Sequence, residues 1–294
     1  MTYHKSVLVQ EVIEYLDIKP DGVYVDATFG GGGHTRAILE HEPTCQVIAF
    51  DWDTVALEHN AQPLHTEFGD RFSFVWANFS QIDRHLKKEG YDKVDGILAD
   101  FGTSQHQLTQ RAGFSFSSDT PLDMRMAPGH QKVTAMELLN KATEEKLCSL
   151  FFELGEEPKA RAIARLIVKE RAQNPIRTTK QLVALIEKVV PRSAKKLHPA
   201  TQVFQALRLY VNKELENIQS FLPAALRALH PSGRLVCISF HSLEDRIVKQ
   251  FFKEQESLGC ASVVTPHAVI GSAEEITINP SARSAKLRAL EKKI

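Results

Sequence analysis

Asp26-Ala27-Thr28-Phe29-Gly30-Gly31-Gly32-Gly33-His34-Thr35 decides how this chain is read. The run Gly22-Val23-Tyr24-Val25-Asp26-Ala27 leads into it and has the length and apolar character of a short buried strand. Residues 35–40 begin a helix. A strand, a glycine-rich turn and a helix, in that order, form the place where an open α/β sheet meets a ligand. Glycines there let the backbone approach that ligand closely and present its N–H groups. Asp51 closes the next apolar run, 21 residues after Gly30. A carboxylate at that point can accept hydrogen bonds from ribose hydroxyls. The pattern points to an adenosine-containing cofactor on a Rossmann-like sheet.

The spacing narrows the cofactor. A dinucleotide fingerprint needs glycines at positions 1, 3 and 6, but Thr35 and Arg36 stand where the third would fall. No phosphate loop of the G-x-x-x-x-G-K-[ST] type occurs. An acidic residue at the end of the first strand, Asp26, suits a cofactor that carries an ammonium group, as S-adenosyl-L-methionine does. The fourth strand ends at Asp100, beyond which substrate should bind. None of the four cysteines is placed for a cytosine-C5 nucleophile, whereas acceptors for an exocyclic amino group fit the Asp100 end.

Outward from the loop, strand and helix signals alternate. Strands are expected at 46–51, 72–76 and 94–100, and helices at 54–60 and 82–89. Such alternation predicts a parallel sheet covered by helices. The pattern breaks after residue 101. Residues 135–188 read as helical, with Thr134 and Glu137 spaced as a capping box. A helical stripe covers 201–222. The strand signal returns at 234–240, followed by a helix over 243–255 and two last strands at 261–265 and 286–290. The expected fold is therefore an α/β, mostly parallel sheet interrupted by an inserted α-helical domain. Its expected boundaries are 1–105, 106–205 and 206–294.

Length and composition agree with a globular chain of about two domains. Of 294 residues, 43% are hydrophobic and 24% charged, and 36 basic side chains balance 36 acidic ones. That balance conceals a segregation. Residues 1–157 carry a net −12, residues 158–213 a net +11, and residues 214–294 a net +1. A basic segment of that density implies a polyanionic partner. Arg161, Arg165, Lys169, Arg171, Lys195, Lys196 and Arg208 are the candidate contacts to RNA backbone. The scattered cysteines show no metal-ligand or redox spacing, and Cys237 sits in an apolar run as a buried strand residue would. No targeting or membrane-spanning stretch is evident, so a cytoplasmic protein is expected, a monomer or a homodimer, with no metal.

Several blocks resemble one family. They are His4-Lys5-Ser6-Val7-Leu8, the run from Asp26 to His34, Gly113-Phe114-Ser115-Phe116 and Pro121-Leu122-Asp123-Met124-Arg125-Met126. Further along come His198-Pro199-Ala200-Thr201, Phe204-Gln205-Ala206-Leu207-Arg208 and Val211-Asn212. The longest is Ser239-Phe240-His241-Ser242-Leu243-Glu244-Asp245-Arg246-Ile247-Val248-Lys249. Asn279-Pro280 and Arg283-Ser284-Ala285-Lys286-Leu287-Arg288 close the match. In these blocks the chain resembles the bacterial 16S ribosomal RNA cytosine-N4 methyltransferases, the MraW/RsmH family.

The resemblance implies a class I methyltransferase fold and S-adenosyl-L-methionine as cofactor. It implies a methyl group moved to N4 of cytosine 1402 of the 16S rRNA, in the small (30S) ribosomal subunit near the decoding P site. By the same likeness the cofactor site maps onto Gly32, Gly33, His34, Asp51, Phe79, Asp100 and Gln107. Asp100 is the expected acceptor for the amino group, and His241 and Asp245, just past the strand at 234–240, are candidates for substrate contact. For Asp245 a cap or charge pair on its own helix is the competing role, and for Phe79 core packing. Read without the resemblance, the residues also allow a methyltransferase acting on another nucleic acid or on protein, or a non-catalytic cofactor-binding RNA chaperone. The chain departs from the family after Asp100, where Phe101-Gly102-Thr103-Ser104-Gln105-His106-Gln107 lacks the usual proline, and at Ala112, Ala127 and Gln202.

Overall fold

A computed structural model describes residues 6–54, 57–102, 111–193 and 198–293. They fall into two compact units, one of residues 1–104 and 215–294, the other of residues 105–214.

The first unit is built on an eight-stranded sheet. Its strands are β1 (Val23–Asp26), β2 (Gln46–Asp51), β3 (Phe72–Trp76), β4 (Val94–Asp100), β5 (Leu229–Ser239), β6 (Ala261–Val263), β7 (Val269–Ile270) and β8 (Lys286–Lys292). The order is β3-β2-β1-β4-β5-β8-β6, with β7 also on β8. β1 to β5 run parallel, and β8 is antiparallel to its neighbours. β2 lies on one side of β1 and β4 on the other, so a crevice opens at their carboxyl ends.

The inner parallel strands β1, β2 and β4 are buried on both faces, which is why they read as nearly unbroken apolar runs, whereas the outermost strand β3 leaves Ser73 and Trp76 exposed. One face packs Val25, Ile48, Ile97 and Leu235 against Leu86, Phe221 and Phe252. The other packs Tyr24, Val47, Leu98 and Val236 against Val12, Ile38 and Leu64. Cys237 is buried within β5, and burial raises its thiol pKa far above the ordinary value. Among the described residues no helix is long and apolar enough to cross a membrane.

Strands β2, β3 and β4 match their expected spans residue for residue. Elsewhere the structure differs. The helix after the glycine run starts inside it, at Gly33, and continues to His41. β5 begins at Leu229 rather than at residue 234, but it is interrupted at Pro231–Gly233, where Ser232 takes a left-handed φ of 64° and the register on β4 jumps from Leu229 to Arg234. The last strands cover 261–263 and 286–292 instead of 261–265 and 286–290. Helices Val9–Leu16 and Ala273–Ile278 and the two-residue β7 have no counterpart among the expected elements.

The second unit is helical, with Ala135–Lys141, Glu144–Glu153, Ala160–Arg171, Thr179–Val189 and Ala200–Asn212. Thr134 and Glu137 form the expected capping box, and Thr178 with Gln181 forms another. The single stripe expected over 201–222 is two helices. Lys213 adopts a left-handed conformation (φ 51°) between Ala200–Asn212 and Glu214–Ala228. The return to the sheet unit therefore falls at 214/215. The expected boundary at 205/206 lies mid-helix.

Asn212 organises this unit from within. Its side-chain oxygen accepts from Met126 N (2.8 Å) and Gln131 Nε2 (2.5 Å). Its amide nitrogen donates to Met124 O (2.9 Å) and Arg208 O (2.8 Å). Met124 is itself held at a positive φ of 60°. Truncating a buried polar hub strands its partners without bonds. Asn212→Ala should therefore destabilise the protein by about 2–4 kcal/mol, read as a lower denaturant midpoint for the helical unit in the full chain.

Candidate active site

The glycine loop is held across three strand ends. Ala27 N donates to Leu98 O (2.8 Å) and Phe29 N to Phe50 O (2.9 Å). Asp100 N donates to the Thr28 hydroxyl (2.7 Å), which ties the loop to the end of β4. Phe29 anchors it from below, its ring 5.7 Å from that of Phe72 and 5.3 Å from that of Phe74. Gly32 sits at φ +75°, where a side chain would be strained, and an added Cβ would press on the Phe29 ring at 3.0 Å.

Asp26 is fully buried. One carboxylate oxygen accepts from Thr28 N (3.1 Å) and the other from the Thr35 hydroxyl (2.7 Å). Burial pushes its pKa above the ordinary carboxyl value, while the nearby His34 and these two bonds pull it down. In this arrangement Asp26 braces the loop. Asp51 braces it from the next strand, accepting from Gly30 N (2.8 Å) and Asp53 N (2.9 Å). Burial pushes the Asp51 carboxyl up to about 6. Beside it, Trp76 Nε1 donates to the Trp52 carbonyl (3.0 Å). Phe79 follows in a single helical turn capped by Asn78 and is half-buried. Its ring meets Phe221 edge-on at 5.3 Å and Phe101 at 5.8 Å, so part of it belongs to the core.

Asp100 ends β4 with its carboxylate in the crevice. The His34 ring, at the start of helix Gly33–His41, donates to Val7 O (2.8 Å) through Nε2. Its other nitrogen, Nδ1, lies 3.9 Å from Asp100 Oδ2. Burial pushes the Asp100 carboxyl up to about 6, against the pull of His34. Oδ1 of Asp100 is buried with no hydrogen-bond partner among the described residues. A buried carboxylate oxygen in that state calls for a donor.

His241 caps helix Ser242–Ser257 directly after β5. Both its ring nitrogens are buried without hydrogen bonds among the described residues, although Nε2 lies 3.1 Å from Glu244 Oε1. Glu244 is a functional neighbour that the sequence reading does not single out. It is 1% exposed and accepts from Phe240 N (2.8 Å) and His241 N (3.4 Å), fixing the strand-to-helix corner. Its charge also raises the Asp100 pKa. A glutamate three residues after a cap position is the available signal. Asp245 has a different place. It is bound by Arg288 (2.7 and 3.3 Å) and lies 3.8 Å from Lys286 Nζ, so its charge pair is with β8 and not, as expected, on its own helix.

Of the remaining candidates, Gln107, Lys195 and Lys196 lie outside the described residues. Arg161, Arg165 and Lys169 lie on helix Ala160–Arg171, Arg161 and Arg165 exposed and Arg165 3.5 Å from Glu144. Arg171 instead donates to the carbonyls of Leu139 and Ala142. Arg208 is paired with Glu214 at 3.0 Å.

The sequence settles the family: the model of the MraW methylase family matches residues 1–293. The chain belongs to the MraW methylase family. It is 48% identical over 315 residues to Ribosomal RNA small subunit methyltransferase H of Geobacter sulfurreducens, covering 99% of this chain and all of that one. The protein of that name from Cyanothece sp. is 47% identical over 98% of this chain and 94% of its own. The one from Thermomicrobium roseum is 45% identical over 99% and 94%. Membership in the MraW methylase family makes this an S-adenosyl-L-methionine-dependent methyltransferase. The geometry fits that cofactor: an added Cβ at Gly30 would meet only Thr28 O, at 3.9 Å. Asp51 lies on one side of the loop, and the unpartnered Asp100 oxygen on the other.

The raised pKa of Asp100 has two consequences of opposite sign. Its folded pKa, about 6, exceeds the ordinary carboxyl value of 3.8. The stability linked to its proton is thus complete below about pH 4 and is lost as pH rises through about 6. Asp100→Asn should melt no lower than the wild type at pH 8, by differential scanning fluorimetry. The same substitution removes the ionised acceptor, and methyl transfer should fall at least about 100-fold.

Proposed function

We propose that this protein transfers a methyl group from S-adenosyl-L-methionine to N4 of a cytosine in 16S rRNA, at position 1402 of the small ribosomal subunit, in the cytoplasm. The observation that supports this most directly is the buried, unpartnered Oδ1 of Asp100 at the carboxyl end of β4, opposite the glycine loop. An acceptor so placed matches an exocyclic amino group, which brings N–H donors.

When bound, S-adenosyl-L-methionine supplies a methyl group made electrophilic by the sulfonium. The chain's own residues then have a positioning task. The cytosine amino lone pair is conjugated with its ring, so N4 must be held in line and allowed to pyramidalise. Asp100 accepts a hydrogen bond from the amino group, and this bond strengthens as positive charge develops on nitrogen. Nδ1 of His241 faces the same need for a polar partner and suits the base edge, while Nε2 lies beside Glu244. Asp26 and Asp51 act through the loop they brace. Protonation of Asp100 removes the negative charge that stabilises positive charge developing on N4, so kcat/KM should decline on the acid side with a midpoint near pH 6.

The target base must leave its stack, at a cost of a few kcal/mol. Phosphate contacts from the exposed face of helix Ala160–Arg171 offset this. The helical unit, on this reading, recognises the substrate.

The test is methyl transfer to purified small subunits lacking the modification, followed by nucleoside analysis by mass spectrometry. N4-methylcytidine should appear, and its absence beside a working positive control would refute the reading. Charge reversal at Arg161 and Arg165 together should weaken subunit binding at least about tenfold at roughly 100 mM salt. It should also flatten the dependence of affinity on salt. Unchanged binding would remove the helical unit from recognition.

A further inference from the structure

The basic insertion leaves one group of cations unexplained, and it sits in the sheet unit. Residues 214–294 sum to only +1, yet Arg283, Lys286 and Arg288 fall within six positions of one another. The fold brings them to the edge where the chemistry occurs. β8 runs antiparallel to β5, so the start of β8 lies beside the carboxyl end of β5. Ser239 pairs with Lys286 and Ile238 with Leu287, while Asp100 of β4 pairs with the same Ile238. The start of β8 is therefore two strands from Asp100, about 10 Å at the usual strand spacing.

Side chains alternate along β8. Leu287 enters the core, and Lys286 and Arg288 take the opposite face. Helix Ser242–Ser257 presents Asp245 to both of them. Arg288 is 11% exposed and holds Asp245 with two nitrogens, whereas Lys286 is 42% exposed with Nζ 3.8 Å from the same carboxylate. One carboxylate cannot neutralise two cations. Arg288 fixes Asp245, and Asp245 in turn tethers a lysine whose charge is largely uncompensated and faces water. Arg283, exposed on the turn Pro280–Arg283 that enters β8, adds a further cation, and the exposed Arg246 lies next to Asp245 in sequence.

We propose that Lys286 and Arg283 form a phosphodiester-binding site for the RNA strand beside the flipped base, with Asp245 and Arg288 positioning Lys286. The separation from Asp100 is comparable to the reach from a pyrimidine's exocyclic amino group to the phosphate of its own nucleotide. An extruded base presented to Asp100 brings its backbone to this edge. A cation there holds the nucleotide out of its stack without reading its sequence. This site rests on the RNA substrate reading above and adds a contact outside the helical unit.

The test is filter binding of unmodified small ribosomal subunits to the full-length protein at roughly 50–300 mM salt. Lys286→Ala combined with Arg283→Ala should weaken binding about five- to tenfold. It should also lower the slope of log affinity against log salt by roughly 0.7–0.9 for each phosphate no longer engaged. Affinity for S-adenosyl-L-methionine, measured by calorimetry, should stay within about twofold, which separates this from unfolding. Lys286→Arg, which keeps the charge, should bind as the wild type. Unaltered affinity and slope in the double variant would overturn the proposal, as would an equal loss in Lys286→Arg, which would mark a packing effect. A wild-type protein that neither binds nor methylates the subunits would remove the RNA reading itself, and this site with it.

Discussion

A carboxylate can be buried without a cation only when hydrogen-bond donors surround it. Asp26 meets that condition through Thr28 N and the Thr35 hydroxyl, one on each side of the glycine run. The bonds close the loop on itself, so four glycines that would otherwise be the least ordered part of the chain acquire one conformation. Asp51 completes the restraint from β2 through Gly30 N. The Thr28 hydroxyl completes it from β4 by accepting from Asp100 N. Three adjacent strands thus converge on one turn, and the sheet order β2-β1-β4 is what makes that possible.

The same logic of burial governs the reacting side of the crevice, with the opposite outcome. Asp100 and His241 retain polar atoms that the surrounding described residues leave unsatisfied. Glu244, a few residues from His241, commits an oxygen to backbone N–H groups. Carboxylates and imidazoles in one dry crevice differ in role because their donors differ. Those already saturated, Asp26 and Asp51, brace the loop, and Asp100 keeps an oxygen without a donor among the described residues.

Legibility in the sequence follows the same physics. β2 and β4 are visible because strands buried on both faces admit little polar interruption, and β3 because its aromatic and β-branched residues suit a strand although Ser73 and Trp76 are exposed. The beginning of β5 is not, because Pro231, Ser232 and Gly233 do form a bulge, with Ser232 at φ 64°, and Leu229 on its far side pairs with Val94 all the same. Two helices merge into one stripe because a left-handed lysine carries no compositional mark. At the site, Asp26, Asp51 and Asp100 are readable from their positions at strand ends. Which of them touches a ligand is not, since that depends on where the threonine and amide donors fall. Asp245 lies in the longest matched block, yet its partner, Arg288, is 43 residues away and meets it only through the fold. Net charge misleads in the same manner, because summing along the chain hides the cations that β8 delivers to the crevice edge.

The contact between Trp76 and Trp52 has a spectroscopic consequence. The chain contains two tryptophans, and both lie at the carboxyl ends of β2 and β3, beside Asp51. Trp76 is half exposed, so its emission is sensitive to whatever settles next to that carboxylate. No other indole dilutes the signal. The protein therefore carries an intrinsic fluorescent reporter beside the carboxylate that braces its glycine loop, and changes there can be followed without a label.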